Sequence, residues 1–196
     1  MTESRTHSES SFGIAAHPRL PLYMTGSTRG RIQLWKFNNW NSEALDEYVT
    51  DHNWRANISD IWNISKIKIN SYGDKIAVND VEGNLYIFGM GQGNNDPEIV
   101  LKRATSMETL DFAFMNQGTV LCATGFKPSP HLIIYDTLMP PGKCIVRREA
   151  IGGSIVLCLR DERQILLFGT KGKGMKLYDL RVNRFYNQYV NIVYEI

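Results

Sequence analysis

Apolar and polar residues alternate in four short segments of the chain, and each segment closes on an aromatic residue. The closing aromatics are Trp35, Phe88, Tyr135 and Tyr178, which follow one another at intervals of 53, 47 and 43 positions. Alternation with a period of two is typical of a β-strand with one buried face. Because a second apolar run and a polar turn precede each closing strand, every unit predicts a β-hairpin. The pattern therefore predicts an internally repeated, all-β chain.

A small or polar residue lies at a nearly constant distance before each closing aromatic. Gly26, Asn79 and Gly169 precede theirs by nine positions, whereas Gly125 precedes its own by ten. We assign the extra residue to a wider turn at residues 126–130, which contain two prolines. A repeat of about 40–45 residues, lengthened here by loop insertions, is typical of the blades of a WD40 β-propeller.

The predicted fold is an all-β, WD40-type propeller. It has about four blades and part of a fifth, so its ring is incomplete. The blades fall at about residues 17–49, 64–102, 108–148 and 153–190. The outer strands would be residues 45–49, 99–102, 144–148 and 185–190, the last of them beginning a fifth blade. WD40 rings commonly hold about seven blades, so the missing ones would come from a longer chain or a second chain. We favour a longer chain, because the sequence stops inside a predicted strand at residues 194–196.

Composition separates a polar tail from a globular remainder. Residues 1–12 are rich in Ser, Thr and Glu and predict a flexible tail, and residues 13–196 hold the blades. The 196 residues are 43% hydrophobic and carry a formal net charge of +2, which is too small to predict a nucleic-acid or membrane surface. No apolar run is long enough for a membrane span or a signal peptide, so we expect a cytoplasmic protein without membrane insertion.

The residues that carry catalytic or metal chemistry form no recognisable motif. Cys122, Cys144 and Cys158 contain no Cys-x-x-Cys pair, and the four histidines have no ligand partner at metal-binding spacing. Residues 89–93 (Gly-Met-Gly-Gln-Gly) follow a strand, but a dinucleotide fingerprint needs a helix after them. Residues 171–176 could cradle an anion, although a solvated hairpin tip is the favoured interpretation. We therefore predict no catalytic residue, no metal and no cofactor.

Three tryptophans are the predicted partner-binding residues. Trp40, Trp54 and Trp62 belong to the long connection at residues 38–65, and aromatic side chains dominate the binding energy of interfaces. The alternative, that they cover the propeller's own core, stays open. We expect protein contacts on this connection and on the top face of the propeller.

Several stretches carry a closer resemblance. They are residues 17–26 (His-Pro-Arg-Leu-Pro-Leu-Tyr-Met-Thr-Gly), 111–114, 123–125, 169–181 and, most specifically, 135–142 (Tyr-Asp-Thr-Leu-Met-Pro-Pro-Gly). In these residues the chain resembles the C-terminal propeller of the rabconnectin-3 alpha, or DmX-like, family, the animal relatives of the large subunit of the yeast RAVE complex. The resemblance covers about residues 17–185. It departs at residues 38–65 and at most of the closing tryptophans.

The resemblance implies a non-enzymatic scaffold that takes part in assembling or regulating the vacuolar-type proton pump. Its partners would be pump subunits or assembly factors, and it would lie on endomembranes as a peripheral protein. Two alternatives stay open: a WD40 adaptor of a ciliary or trafficking assembly, and, least favoured, a hydrolase with its site in the propeller channel.

Overall fold

Four small antiparallel sheets follow one another in a computed structural model of the chain. The structure describes residues 11–27, 32–36, 63–89, 98–102, 107–140, 143–150, 153, 156–160, 165–170, 174–182 and 184–186. Each sheet is one blade, and its strands are hydrogen-bonded in the order in which they occur along the chain. In the described part of the chain the regular elements are these strands and a single short 3-10 turn.

Blade one contains β1 (Ser11–Ala16), β2 (Leu22–Ser27) and β3 (Ile32–Lys36). Blade two contains β4 (Ile64–Ile69), β5 (Lys75–Asp80), β6 (Leu85–Gly89) and β7 (Glu98–Lys102). Blade three contains β8 (Asp111–Met115), β9 (Val120–Gly125), β10 (His131–Asp136) and β11 (Ile145–Glu149). Blade four contains β12 (Val156–Arg160), β13 (Ile165–Thr170), β14 (Gly174–Asp179) and β15 (Arg184–Tyr186).

The first strand of every blade lies on the inner side of an arc. Strand β1 lies beside β4, β4 beside β8, and β8 beside β12. The other strands of each blade extend outward from this inner row, as in a propeller. The all-β prediction is confirmed.

The closing aromatics occupy one register position in all four blades. Each of them pairs with the second residue of the preceding strand: Trp35 with Tyr23, Phe88 with Ile76, Tyr135 with Leu121, and Tyr178 with Leu166. The aromatic that recurs in the sequence therefore marks a fixed place in each sheet.

The small residue before each closing aromatic also has a fixed place, and its assignment in blade three was wrong. The fifth residue of the second strand is Gly26, Asn79 or Gly169 in three blades, but in blade three it is Thr124, which pairs with Leu132. The predicted equivalent, Gly125, is one residue further on. From the fifth residue of the second strand to the closing aromatic there are 11 positions in blade three and nine in the other blades, so the turn at residues 126–130 is wider by two residues rather than one.

Each blade has two apolar faces, because successive side chains of a strand point to opposite sides of its sheet. We call the side that turns to the preceding blade the first face and the side that turns to the following blade the second face. In blade two, Ile76 and Val78 belong to the first face, whereas Ala77 and Ile87 belong to the second.

Three cores lie between the blades, and each joins a second face to the next first face. The first core joins blades one and two and contains Met24 and Ile32 with Ile76, Val78, Tyr86 and Phe88. The second joins blades two and three and contains Ala77, Leu85 and Ile87 with Phe112, Leu121, Ala123, Ile133 and Tyr135. The third joins blades three and four and contains Ala113, Cys122, Leu132 and Ile134 with Leu166 and Tyr178. None of these residues is more than 7% exposed. Since burying one large apolar side chain contributes roughly 1.5–3 kcal/mol, these cores are the main source of stability between blades.

Polar groups add ties between neighbouring blades at the fifth position. The side-chain amide of Asn79 donates to the carbonyl oxygen of Thr109 at 2.8 Å, in the loop before blade three. The hydroxyl of Thr124 accepts the backbone N–H of Gly153 at 2.6 Å, in the loop before blade four. Through one hydrogen bond in each of these two blades, the fifth position fixes the loop that follows.

Some predicted elements differ from the structure or lie outside its described residues. Strand β1 was not predicted, and its first two residues overlap the predicted tail at residues 1–12. The outer strands at 99–102 and 144–148 correspond to β7 and β11. The strand predicted at 185–190 was expected to begin a fifth blade, but its described residues belong to β15, which pairs with β14 as the outer strand of blade four. The predicted strand at 45–49 lies outside the described residues. No described helix is long and apolar enough to cross a membrane.

Gly26→Ala should destabilise the protein by about 1–3 kcal/mol, because the added Cβ would lie 2.5 Å from Cγ2 of Ile64 in the first interblade core. Gly13→Ala is the matched control: Gly13 pairs with Gly26 on the neighbouring strand, and its Cβ would meet Ile67 at 3.2 Å. Urea unfolding of both variants measures the difference. Equal free energies of unfolding would contradict the close approach at Gly26.

Candidate interaction surface

Connections from all four blades lie at one end of the strands. We call this end the turn face; it comprises residues 17–21, 70–74 and 116–119, between the first and second strands, and residues 137–140 and 180–182, after the third strands. Among the described residues eight large hydrophobic side chains are exposed, and five of these lie on the turn face: Leu20, Tyr72, Leu138, Met139 and Val182. Such a concentration of exposed apolar groups favours an interaction surface.

The turns of blades one and two are in direct contact. The guanidinium carbon of Arg19 lies 4.7 Å from the centre of the Tyr72 ring, within the range of a cation–π interaction. His17 packs on Gly73, where a Cβ would lie 2.0 Å from the ring Nε2. Gly73 also has a φ of +80°, so both the space and the backbone require glycine there. The two turns therefore form one continuous surface.

The turns of blades two and three are joined by hydrogen bonds. The Tyr72 hydroxyl donates to Oε1 of Gln117 at 2.8 Å, and the side-chain amide of Asn70 donates to the Gln117 carbonyl oxygen at 3.3 Å. A Cβ on Gly118 would lie 2.1 Å from Nδ2 of Asn70, so the two turns approach closely. Residues of blade two thus hold the turn of blade three in place.

The turn of blade three has an unusual backbone. Asn116 and Gln117 have φ values of +47° and +59°, and Gly118 follows at +90°. Left-handed conformations cost roughly 1–2 kcal/mol for residues other than glycine, and they persist only where surrounding contacts impose them. Here those contacts come from Tyr72 and Asn70 of the neighbouring blade.

A buried hydroxyl anchors the loop that follows β10. Thr137 donates through Oγ1 to the carbonyl oxygen of Gly118 at 2.7 Å, and its N–H donates to Thr119 at 2.9 Å. The Lys75 ammonium group donates to the same Oγ1 at 2.9 Å. This anchored loop exposes Leu138, which is 69% exposed, and Met139, which is 41% exposed. Two apolar side chains are therefore displayed on a fixed support.

The loop after β14 is fixed by a side-chain pair. Arg181 donates through Nη2 to Oδ2 of Asp179 at 2.7 Å and through its backbone N–H to Oδ1 at 2.9 Å. The Arg181 side-chain hydrogen bond holds the pKa of the Asp179 carboxyl below its ordinary value of 3.8. Val182, which follows this pair, is 53% exposed.

The predicted partner-binding residues Trp40, Trp54 and Trp62 lie outside the described residues, so they stay a prediction. The same holds for most of the glycine-rich stretch at residues 89–93 and for residues 171–173. Arg19, Tyr72 and Gln117 were not singled out from the sequence. They are about 50 positions apart, and only the fold brings them together.

Other reactive side chains of the described residues serve the fold. Both ring nitrogens of His131 face carbonyl oxygens, that of Ser129 at 2.7 Å and that of Glu108 at 2.8 Å. Cys122 and Cys144 are buried, and burial raises the pKa of the Cys144 thiol. Within the ranges described, no group of three or more His, Cys, Asp or Glu side chains could hold a metal ion.

A charged cluster joins the inner strands of blades two and three. The ammonium groups of Lys66 and Lys68 lie 3.2 Å and 3.0 Å from Oδ1 of the buried Asp111. Lys68 also donates to the Phe112 carbonyl oxygen. The cluster ties β4 to β8, as a buried carboxylate with paired cations does.

Comparison with known proteins establishes the fold. No family model matches the chain. The chain is similar in structure to Sqt1 of Saccharomyces cerevisiae, with a TM-score of 0.62 and 12% identity, over 92% of this chain and 48% of that one. It is also similar to the β-propeller domain of Cps50 (Swd1) of Myceliophteria thermophila, with a TM-score of 0.57 and 12% identity, over 90% of this chain and 53% of that one. The chain thus has a WD40-type propeller fold, as predicted, and spans about half the length of each of these structures.

Gln117→Gly should be more stable than Gln117→Ala by about 1 kcal/mol, because glycine adopts a φ of +59° without strain whereas alanine does not. Both variants lose the Tyr72 hydrogen bond, so the difference between their stabilities reports only the backbone strain at position 117. At Val146, an exposed strand position, the order should reverse. Thermal unfolding of the four variants measures both pairs. If Gln117→Ala is the more stable, the turn is not strained.

The Asp179–Arg181 pair should make the free energy of unfolding depend on pH in the acidic range. Because the pKa of Asp179 is lower in the folded chain than its ordinary value of 3.8, its stabilisation is present above pH 3.8 and is lost as pH falls through the folded pKa. Denaturant unfolding from pH 6 to pH 2.5 measures the loss, which Asp179→Asn and Arg181→Gln should both reduce. Identical pH profiles for the wild type and both variants would contradict the assignment.

Proposed function

We propose that this protein is a non-catalytic scaffold that binds another protein through the turn face. The observation that carries the proposal is the contact between turns of different blades, from Arg19 through Tyr72 to Gln117. A surface that is already ordered loses little conformational entropy when a partner binds. Rigid scaffolds that present loops are a common basis for recognition.

The exposed apolar residues suggest how the partner is held. Leu138 and Met139 project from a loop anchored by Thr137, and interfaces draw most of their binding energy from a few apolar or aromatic anchors. Arg19 and Tyr72 would add binding energy beside these two residues, since arginine and tyrosine are enriched among the residues that dominate interface energetics. The partner would therefore present an apolar pocket with hydrogen-bond acceptors beside it.

We propose further that the partner belongs to the assembly machinery of the vacuolar-type proton pump. The support is the resemblance of residues 135–142 to the DmX-like family, because the same stretch contains Leu138 and Met139. In this proposal the protein acts in the cytoplasm, peripherally on endomembranes, and binds pump subunits or assembly factors. Trp40, Trp54 and Trp62 stay the further residues predicted to contact the partner.

Affinity purification from cell extract tests both levels of the proposal. The tagged 196-residue chain is compared with a Leu138→Asp, Met139→Asp double variant and with Val146→Asp, which places one negative charge on the exposed outer strand β11 of blade three. Wild type and Val146→Asp should recover pump subunits or their assembly factors, quantified by mass spectrometry. The double variant should recover roughly tenfold less or lower still, because it places charge in the apolar anchor.

The outcomes distinguish the role of the turn face in binding from the identity of the partner. Equal recovery by the wild type and the double variant would overturn the role of the turn face. Partners that depend on Leu138 and Met139 but include no pump component would overturn the pump assignment, and a ciliary or trafficking set would favour the adaptor alternative.

A further inference from the structure

The two ends of the arc each keep one apolar face without a neighbouring blade among the described residues. In blade four the second face carries Leu167, Met175 and Leu177, which are half-buried. At the positions of Leu167 and Leu177, blade two has Ala77 and Ile87, both 0% exposed. The difference follows from position, because blade two has a described blade against its second face and blade four does not.

The first face of blade one likewise has no neighbouring blade among the described residues. Ile14 is 71% exposed, whereas Ile67, at the same register position in blade two, is 4% exposed. Tyr23 is half-buried, whereas its counterpart Ile76 is fully buried. These exposures also exclude closure of the arc on itself, since contact between blades four and one would cover Ile14.

Among the described residues no blade covers either of these faces, and together they repeat part of an interface that the chain already uses. Between blades one and two, Ile67 packs on Gly26, where an added Cβ would lie 2.9 Å from Cδ1 of Ile67. Blade four repeats the glycine at the same position, as Gly169, and blade one repeats the isoleucine, as Ile14. The second face of blade four, with Gly169, and the first face of blade one, with Ile14, therefore carry the same pair of residues that meet between blades one and two as Gly26 and Ile67.

We propose that two copies of this chain associate head to tail, with the second face of blade four in each copy packed on the first face of blade one in the other. Both contacts are then the same interface, repeated by a two-fold axis along the propeller channel. Each copy contributes four sheets, so the pair forms a closed ring of eight blades, within the range of known propellers. Each copy also spans about half of Sqt1 and about half of the Cps50 propeller domain.

A ring closed by two identical interfaces is more stable than two copies joined by only one of them. Once the first interface forms, the second is intramolecular, so its effective concentration is high and the ring is held more tightly than either contact alone. It also covers both apolar faces at the ends of the arc, which would otherwise invite aggregation.

Light scattering during size-exclusion chromatography tests the proposal directly. The purified 196-residue chain, of 22.4 kDa, should elute with a mass of about twice that value at micromolar concentration. A monomer at all concentrations up to about 100 μM would overturn the proposal, and so would open-ended polymers, because the proposed ring closes after two copies.

Variants distinguish the head-to-tail arrangement from other dimers. Ile14→Asp and Leu177→Asp should each shift the protein to the monomer mass, whereas Val146→Asp, on the exposed outer strand of blade three, should stay dimeric. Ile14 is mostly exposed, so its variant should keep the wild-type far-ultraviolet circular dichroism. A dimer that resists Ile14→Asp but is lost in Leu177→Asp would join like faces, and this outcome would overturn the head-to-tail arrangement.

A mixture of the two variants provides an independent check. The Ile14→Asp chain keeps an intact second face and the Leu177→Asp chain keeps an intact first face, so one wild-type interface can form between them. Mixing should restore a species of twice the monomer mass, at concentrations higher than the wild type needs. Failure of the mixture to associate, with both variants folded, would contradict the proposal.

Discussion

The packing of one blade's second face on the next blade's first face is the interaction on which the rest of this structure depends. Each sheet has only three or four short strands, and an apolar sheet face must be buried against another element to be stable. Met24 against Ile76, Ala77 against Phe112, and Cys122 against Leu166 all represent the same contact between successive blades. The curvature of the arc and the position of every turn follow from that repeated contact.

The turn face is a consequence of this packing. Because successive blades are held in a constant relation, the turns between their first and second strands are brought side by side. Tyr72 can then reach Gln117, and Arg19 can lie over Tyr72, although the residues come from three different blades. The strain at Asn116 and Gln117 is supported in the same way, by side chains of the preceding blade. A chain with a weaker interblade core would not hold these turns in register.

The strands and their order could be predicted from the sequence, since alternation and the closing aromatic depend on residues that are neighbours along the chain. Phe88, Tyr135 and Tyr178 lie where the pattern predicts, each beside the second residue of the preceding strand. The equivalence of Thr124 with Gly26 was missed because the two residues act differently: Thr124 hydrogen-bonds the loop before blade four, whereas Gly26 makes room for Ile64 and Ile67 of β4. Strand β1 was missed because Ser11, Phe12 and Gly13 lack a clear alternation. The turn face could not be predicted, because pairs such as Tyr72 and Gln117 meet only after the blades have packed.

Residue-resolved amide hydrogen exchange of the Ile14→Asp chain, which is expected to be monomeric and so to keep both end faces without a second copy, tests the account most directly. The interblade packing predicts the slowest exchange in β5 and β9, whose blades are covered on both faces, and faster exchange in β2 and β13, whose blades are covered on one. Equal protection in all four strands, or slower exchange in β2 or β13 than in β5 and β9, would contradict the account.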